Sequence, residues 1–303
     1  MDGFEAQRPR LMGLAYRMLG RVADAEDVVQ EAWLRWAQAD RANVADPEAF
    51  LVRTTTRLAI DRLRRVRARR EVYPGEWLPE PILTATDDAA DQVVRTESVT
   101  MAVLVVLERL SPLERAVFVL REVFEEPYPA IAEALGKAEP AVRQLAARAR
   151  AHVRDGRPRY EVDRERWGAA AGQFFHACAT GDMDALLATL SPDVSLTGDG
   201  GGRTPNALRV VRGPAKAARL LMGIFHGPAM RHFLARLGLA DAEPGILFAD
   251  ANGRPAAVLT MDGRPVGFLQ PTIVDGLVHD VYVITNPAKM AGLMSQEEGP
   301  LRP

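Results

Sequence analysis

Apolar residues recur every three or four positions through the first seventy residues, the spacing of helices with one buried stripe. Leu11, Leu14, Ala15, Met18, Leu19 and Val22 form one such stripe. A second begins after Asp24, a candidate helix cap, with Ala25, Val28, Val29, Ala32, Trp33 and Trp36 turned inwards and Asp27, Gln30, Glu31 and Leu34 outwards. Pro47 behind Asp46 opens a third helix, because proline fits a first helical turn whose N–H groups lack partners anyway. The pattern breaks at Trp77-Leu78-Pro79-Glu80-Pro81, where two prolines remove donors and restrict their neighbours. Helices resume over 92–110, and Ser111-Pro112-Leu113-Glu114 has the form of a capping box. Segments 129–135 and 140–153 follow, joined by Gly136-Lys137-Ala138-Glu139, the short glycine-bearing turn of a helix-turn-helix.

Beyond residue 160 the period changes. Helices are predicted over 167–179, 183–190 and 214–225, and short strands over 193–196, 208–212, 256–261, 265–273 and 277–285. Asp262-Gly263 and Asp275-Gly276 are hairpin turn pairs between the last three strands. The expected fold is therefore a mainly α N-terminal half followed by an α+β domain with a curved antiparallel sheet. Its divisions are a helical domain over 1–72, a linker over 73–91, a helix-turn-helix domain over 92–155, the α+β domain over 160–292 and a flexible tail over 293–303.

Composition changes this picture in two places. The net charge is only −2 in 303 residues, yet residues 53–70 hold eight arginines against the single acid Asp61. A solvated structural helix usually mixes signs, so an unopposed run of guanidinium groups points to phosphate. Residues 74–100 reverse the sign, with six acids against Arg95. In the other direction, Cys178 is the sole cysteine, which excludes an internal disulfide and a cysteine-rich metal site. No apolar run has the length of a membrane span or a signal segment, and a cytoplasmic protein is expected.

Candidate chemistry lies on three helical faces. Asp24, Glu26, Asp27, Gln30, Glu31 and Leu34 make an acid-rich outer face. Arg53, Arg57, Asp61, Arg62, Arg64 and Arg65 lie along the basic helix. Glu139, Arg143, Gln144 and Arg148 stand outside the Val142, Leu145, Ala146, Ala149 stripe of the last helix, where arginine and glutamine suit base edges in a major groove. His176, His226, His232 and His279 are acid–base candidates in the α+β half. They show no carboxylate spacing that fixes a site, so no enzyme, metal or cofactor is expected.

In this order the three faces resemble the extracytoplasmic-function (ECF) sigma factors of RNA polymerase. The segment from Asp24 to Trp33 looks like the family's core-binding segment, Phe50 to Arg65 like its −10-reading region, and Leu110 to Arg115, Ile131 to Gly136 and Val142 to Gln144 like its −35-reading domain. The second half resembles a SnoaL-like domain, the cone-shaped fold carried by one group of these factors. That group shares a linker motif, here Trp77, Leu78, Pro79, Glu80 and Pro81, a loop, here Asp199, Gly200, Gly201, Gly202 and Arg203, and a late segment, here Asn286, Pro287 and Lys289. Arg57 replaces a common Asn and Leu145 a frequent basic residue, so the promoter sequence stays unread; in the late segment Met290 stands where Leu is common.

The resemblance implies core RNA polymerase as partner, through its β′ coiled coil and β flap, together with promoter DNA and no membrane. It implies regulation in cis by the SnoaL-like domain, whose pocket leaves room for a small-molecule ligand. Two other readings stay open on the sequence alone: a ligand-sensing DNA-binding regulator that works without polymerase, and a SnoaL-like enzyme fused to a helical adapter.

Overall fold

A computed structural model of the chain describes residues 2–83, 100–156, 164–236 and 238–293. The chain divides into two compact units, Met1–Val72 with Thr86–Arg157, and Tyr73–Ala85 with Pro158–Pro303. Residues 84–91 of the expected linker, the start of the helix expected at 92, and the tail beyond Leu293 lie outside the described residues.

The first unit is helical. Helices α1 (Asp2–Leu19), α2 (Val22–Gln38) and α3 (Pro47–Arg70) pack around Leu11, Leu14, Met18, Leu51 and Leu63, all at or near zero exposure. The Asp46 carboxylate accepts the Ala49 N–H at 3.0 Å and starts α3 where the sequence places it. Asp24 does not cap α2, since the helix begins two residues earlier and Asp24 lies in its first turn.

Helices α4 (Met101–Glu108), α5 (Pro112–Phe118), α6 (Tyr128–Leu135) and α7 (Glu139–Gly156) form the second module of this unit, with a π turn over Val119–Val123. The capping box at Ser111 and Glu114 is formed in both directions. Gly136 ends α6 at φ 60°, a left-handed conformation glycine adopts without a Cβ clash. The stripe Val142, Leu145, Ala146, Ala149 is buried, and Arg143, Gln144, Ala147, Arg148 and Arg150 are exposed.

The second unit opens with helices α8 (Arg164–Thr180) and α9 (Met183–Thr189). Strands β1 (Leu190–Asp199) and β2 (Val211–Arg212) follow, and then helices α10 (Pro214–His226) and α11 (Pro228–Arg236). Strands β3 (Pro244–Ala251), β4 (Arg254–Met261), β5 (Arg264–Val274) and β6 (Leu277–Ile284) complete one open sheet in the order β2-β1-β6-β5-β4-β3. This helix-then-sheet layout is the one expected from the SnoaL-like resemblance.

The sheet is antiparallel except for β1, which pairs parallel with β6. The chain between residues 199 and 277 gives β6 room to return in the same direction as β1. The consequence is that the C-terminal ends of both strands lie side by side. All three hairpins close on two residues with positive φ: Asn252-Gly253, Asp262-Gly263 and Asp275-Gly276. The first of these turns and strand β3 lie outside the strands that the sequence pattern predicts. The expected strand at 208–212 shrinks to two residues, and Leu208 is exposed.

Phe174, Cys178, Leu186, Leu196, Ala217, Leu221 and Val281 fill the space between these helices and the sheet. Burial pushes the Cys178 thiol up to about 12. Because the raised value belongs to the folded state, the buried thiol adds stability below the ordinary thiol range and loses it as pH rises through about 12. At pH 8 the native chain is expected to leave Cys178 unreacted with a disulfide reagent and to release one equivalent only in denaturant; rapid native reaction would contradict its burial.

Candidate functional site

Helix α2 turns Glu26, Asp27, Gln30, Glu31, Leu34 and Trp33 to solvent. The helical stripe predicts Trp33 inside, whereas the structure leaves it 41% exposed, beside Leu34 at 45%. The inner stripe needs only Ala25, Val28, Val29, Ala32 and Trp36, so position 33 falls one step round the helix from the core. An exposed aromatic and leucine ringed by acids is a compact apolar spot of the kind protein partners bury. Asp24 is not on this surface. It is buried and accepts from Arg62 Nε and Nη2 at 3.0 and 2.6 Å, while Asp27 takes a further Arg62 bond at 3.0 Å. The hydrogen bond that Arg62 donates to Asp24 is what chiefly raises the Arg62 pKa, against its partial burial.

The basic helix is less free than its sequence suggests. Arg64, paired with Asp61 at 3.2 Å, and Arg65 face solvent. Four others hold the second helical module. Arg57 donates through Nε to the Ala134 carbonyl at 2.8 Å and through Nη2 to the Glu133 carbonyl at 3.2 Å. Arg53 pairs with the Glu133 carboxylate. Arg67 donates to the carbonyls of Glu108, at 2.9 Å, and of Leu110. Arg70 pairs with the Glu108 carboxylate and donates to the Leu19 carbonyl at 2.8 Å. From the other side Arg115, wholly buried, reaches the carbonyls of Met18 and Leu107 at 2.9 and 2.8 Å and Glu108 Oε1 at 2.7 Å.

These bonds converge on the C-terminal turns of α4 and α6, where unpaired carbonyls and the helix dipole favour cations. Burial pulls the Arg70 pKa down to about 10, with Glu108 opposing and Arg115 adding to the fall. Arg67 is lowered for the same first reason, with repulsion from Arg115 next. Both remain charged at neutral pH. Helical spacing does not single out Glu108, Glu133 or Arg115 as partners, because the pairings Arg70–Glu108, Arg53–Glu133 and Arg115–Met18 join residues 38, 80 and 97 positions apart.

On α7, Arg143 stacks over the Tyr128 ring at 4.4 Å and bonds Glu139 at 2.5 Å. Arg148 meets Glu114 at 3.1 Å, and Arg150 meets the Tyr128 hydroxyl at 3.1 Å. These contacts order the arginines while leaving them exposed. Gln144 is also exposed, and the face as a whole is suited to a groove. Glu114, bonded by Ser111 and Arg148, is held below the usual carboxylate range despite its burial.

In the second unit the linker motif, the glycine loop and the late segment meet. Asp199, at 0% exposure, accepts from four donors: the Tyr73 hydroxyl at 2.5 Å, Leu78 N–H at 2.9 Å, Gly201 N–H at 3.1 Å and Lys289 Nζ at 2.5 Å. Lys289 also donates to the Leu78 carbonyl and stands 3.9 Å over the Trp77 ring. Asn286 donates to the Tyr73 hydroxyl at 2.8 Å. The parallel β1–β6 pairing makes this possible by setting Asp199 opposite Ile284 and so beside residues 285–289. Gly201 and Gly202 have φ of 60° and 68°, and a Cβ there would lie 2.7 Å from Asn286 and 2.5 Å from Pro74. Leu78, Pro79, Glu80 and Pro81 are buried, Pro287 is exposed, and Arg203 points to solvent. Further along, Leu83 bridges Ala251 antiparallel, and Ile82 and Asn252 exchange bonds at 2.9 and 3.2 Å.

The histidines do not converge. His176, His226 and His232 are exposed on helices, and His279 is half-buried on β6. Among the described residues no group of three or more histidine, cysteine, aspartate or glutamate side chains is placed to hold a metal, and no helix is long and apolar enough to cross a membrane.

Comparison with known proteins agrees with this geometry. Residues 4–70 match the model for Sigma-70 region 2, and residues 100–153 the model for Sigma-70, region 4. The chain is 42% identical over 295 residues to the ECF RNA polymerase sigma factor SigJ of Mycobacterium tuberculosis, covering 95% of this chain and 92% of that protein. It is 31% identical to the probable ECF RNA polymerase sigma factor SigI of the same species, covering 98% and 96%. The crystal structure of Mycobacterium tuberculosis SigJ superposes with a TM-score of 0.73 at 38% identity, over 95% of this chain and 97% of that one.

A buried ion pair punishes loss of one partner, because the other charge is then stranded. Lys289→Met is therefore expected to destabilise the second unit by roughly 3–5 kcal/mol in urea unfolding followed by Trp fluorescence. Lys289→Met with Asp199→Asn should cost less than the single change. Equal losses would contradict the pairing.

Proposed function

Because the chain belongs to the extracytoplasmic-function RNA polymerase sigma factors, we propose that it recruits core polymerase through the outer face of α2 and places two DNA-contacting helices on a promoter. The observation that carries this reading is the pairing, in one helical unit, of an exposed acid-ringed Trp33–Leu34 spot with an arginine-bearing helix-turn-helix. Neither feature alone would separate a sigma factor from an ordinary repressor.

In this reading Glu26, Asp27, Gln30, Glu31, Trp33 and Leu34 dock on the β′ coiled coil, with the hydrophobic pair supplying affinity and the acids orientation. Asp24 acts from behind, fixing Arg62 and thereby the angle between α2 and α3. Arg53, Arg57, Asp61, Arg62, Arg64, Arg65 and the loop over residues 39–46 serve the −10 element. Glu139, Arg143, Gln144 and Arg148 serve the −35 element, with the module also touching the β flap. Arg143 is the best base-edge candidate, since Tyr128 and Glu139 hold its planar fork ready.

The SnoaL-like unit regulates in cis by keeping residues 73–83 of the connector on its own surface. Four donors on Asp199 and the Lys289 contact to the Leu78 carbonyl fix the connector, and so limit how far the two DNA modules can separate. Nothing in this role requires a small molecule or a reaction.

Arg143→Ala together with Arg148→Ala is expected to lower promoter-dependent transcription by purified core polymerase at least tenfold, since a good bidentate base contact is worth about 1–3 kcal/mol. Core binding should be unchanged, and its loss would overturn the assignment of faces. Conversely, Trp33→Ala with Leu34→Ala should weaken binding to core polymerase at least tenfold in a titration calorimeter while the circular dichroism stays native. Unaltered affinity would remove α2 from the docking surface.

A further inference from the structure

We infer that the α+β unit carries a DNA-contacting surface of its own, made by Arg209 and Arg212 at the edge of the sheet and by Lys216 and Arg219 on α10. It grips the phosphate backbone of a duplex without reading its sequence. The choice of DNA as partner rests on the sigma reading above, and the contact is one that neither helical module supplies.

The charge of one stretch is the reason. From Gly200 to Ala240 the chain has seven arginine and lysine residues and no aspartate or glutamate, although its net charge over 303 residues is −2. A solvated face ordinarily mixes signs, with acids spaced to pair with the bases. Here that pairing is missing. Arg209, Arg212, Lys216 and Arg219 are exposed, and none of the four has a side-chain hydrogen bond or ion pair among the described residues. In the helical unit, by contrast, Arg53, Arg57, Arg67 and Arg70 each hold a protein partner.

The fold gathers the four cations around one corner. Strand β2 is the outermost strand on its side of the sheet and leads through Gly213 straight into α10. Val211 packs towards the core, so Arg212 belongs to the other face. The acid in the same row of that face, Asp280, lies two strands further in and accepts from the Ser195 hydroxyl at 2.6 Å. On α10 the buried stripe is Ala217, Ala218, Leu221 and Ile224, which sets Lys216 and Arg219 one turn apart on the exposed side. Gly213 offers no capping side chain, so the first turn of α10 adds unpaired N–H groups and the positive end of its dipole to the same corner.

Phosphate asks only for cations, whereas a protein partner ordinarily buries an aromatic or other large anchor. The exposed neighbour of Lys216 at the start of α10 is Ala215, and this part of the helix presents no such anchor. The stretch is therefore matched to a polyanion and to sequence-independent binding.

The test uses the full chain and a mixed-sequence duplex of about 30 base pairs, with binding read by fluorescence anisotropy over a salt series. Each phosphate contact adds about 0.9 to the slope of log affinity against log salt. Lys216→Gln with Arg219→Gln is expected to make that slope shallower by about 1.8 and to weaken binding at about 50 mM salt at least tenfold. Arg254→Gln with Arg264→Gln removes the same charge from β4 and β5, on the far side of the sheet, and is expected to leave slope and affinity nearly unchanged. An unaltered slope in the first pair, an equal loss from both pairs, or no measurable binding by the wild-type chain overturns the inference.

A photo-crosslinking amino acid in place of Ala215 identifies the partner directly. It is expected to label the duplex in the free chain and again after core polymerase is added. Label that moves from DNA to a polymerase subunit assigns the corner to a protein surface and counts against the proposal. Failure of the chain to bind core polymerase would sink the sigma reading, whereas the salt slopes of the free chain judge this corner alone.

Discussion

A guanidinium withdrawn from water must find oxygen acceptors, and in the helical unit the acceptors are the ends of other helices. This constraint organises the described residues of that unit, 2–72 and 100–156. Helix α3 carries Arg53, Arg57, Arg67 and Arg70 along a face that meets the C-terminal turns of α4 and α6, where carbonyls lack partners within their own helix. The same cations that suit a phosphate backbone thus cap helix ends and bring the two DNA modules together. Arg115 completes the arrangement in reverse, reaching from α5 to the end of α1. A surface selected for charge becomes, without DNA, an internal adhesive.

The α+β unit solves a related problem with the opposite sign. Asp199 is a fully buried carboxylate, and its cost is offset by four donors, one of them the Lys289 ammonium. Two of those donors belong to the connector and two to the unit itself, so burying the charge and docking residues 73–83 are one event. The device needs a parallel strand pair to align two chain ends, and glycines at 201 and 202 where any side chain would strike Asn286 or Pro74. Each unit therefore uses ionic side chains for registry. The first does so along a seam between its two modules and the second through a closed network.

Much of this was legible in the residues. Helical period, proline at first turns, the capping box and the glycine turn before α7 are local signals, and the structure follows them. Two hairpins were announced by Asp-Gly pairs, while the equivalent Asn252-Gly253 passed unread because β3 lacks polar–apolar alternation. Trp33 was assigned inwards because a tryptophan at helical spacing ordinarily belongs to a core; a narrower stripe sufficed. The basic helix was read as free because its acid partners, Glu108 and Glu133, come from a distant part of the chain. Periodicity reports which side of a helix is buried, but not which distant carbonyl an arginine will find.

The central claim is that α3 gives up its contacts with the second module when the chain engages polymerase. Arg70 and Arg115 report on this, since both side chains are largely or wholly enclosed in the free seam. Modification by an arginine-selective dicarbonyl, read by mass spectrometry in the free chain and bound to core polymerase without DNA, is the direct measurement. The account predicts that both residues are protected in the free chain and become reactive in the complex. The same protection in both states would contradict it.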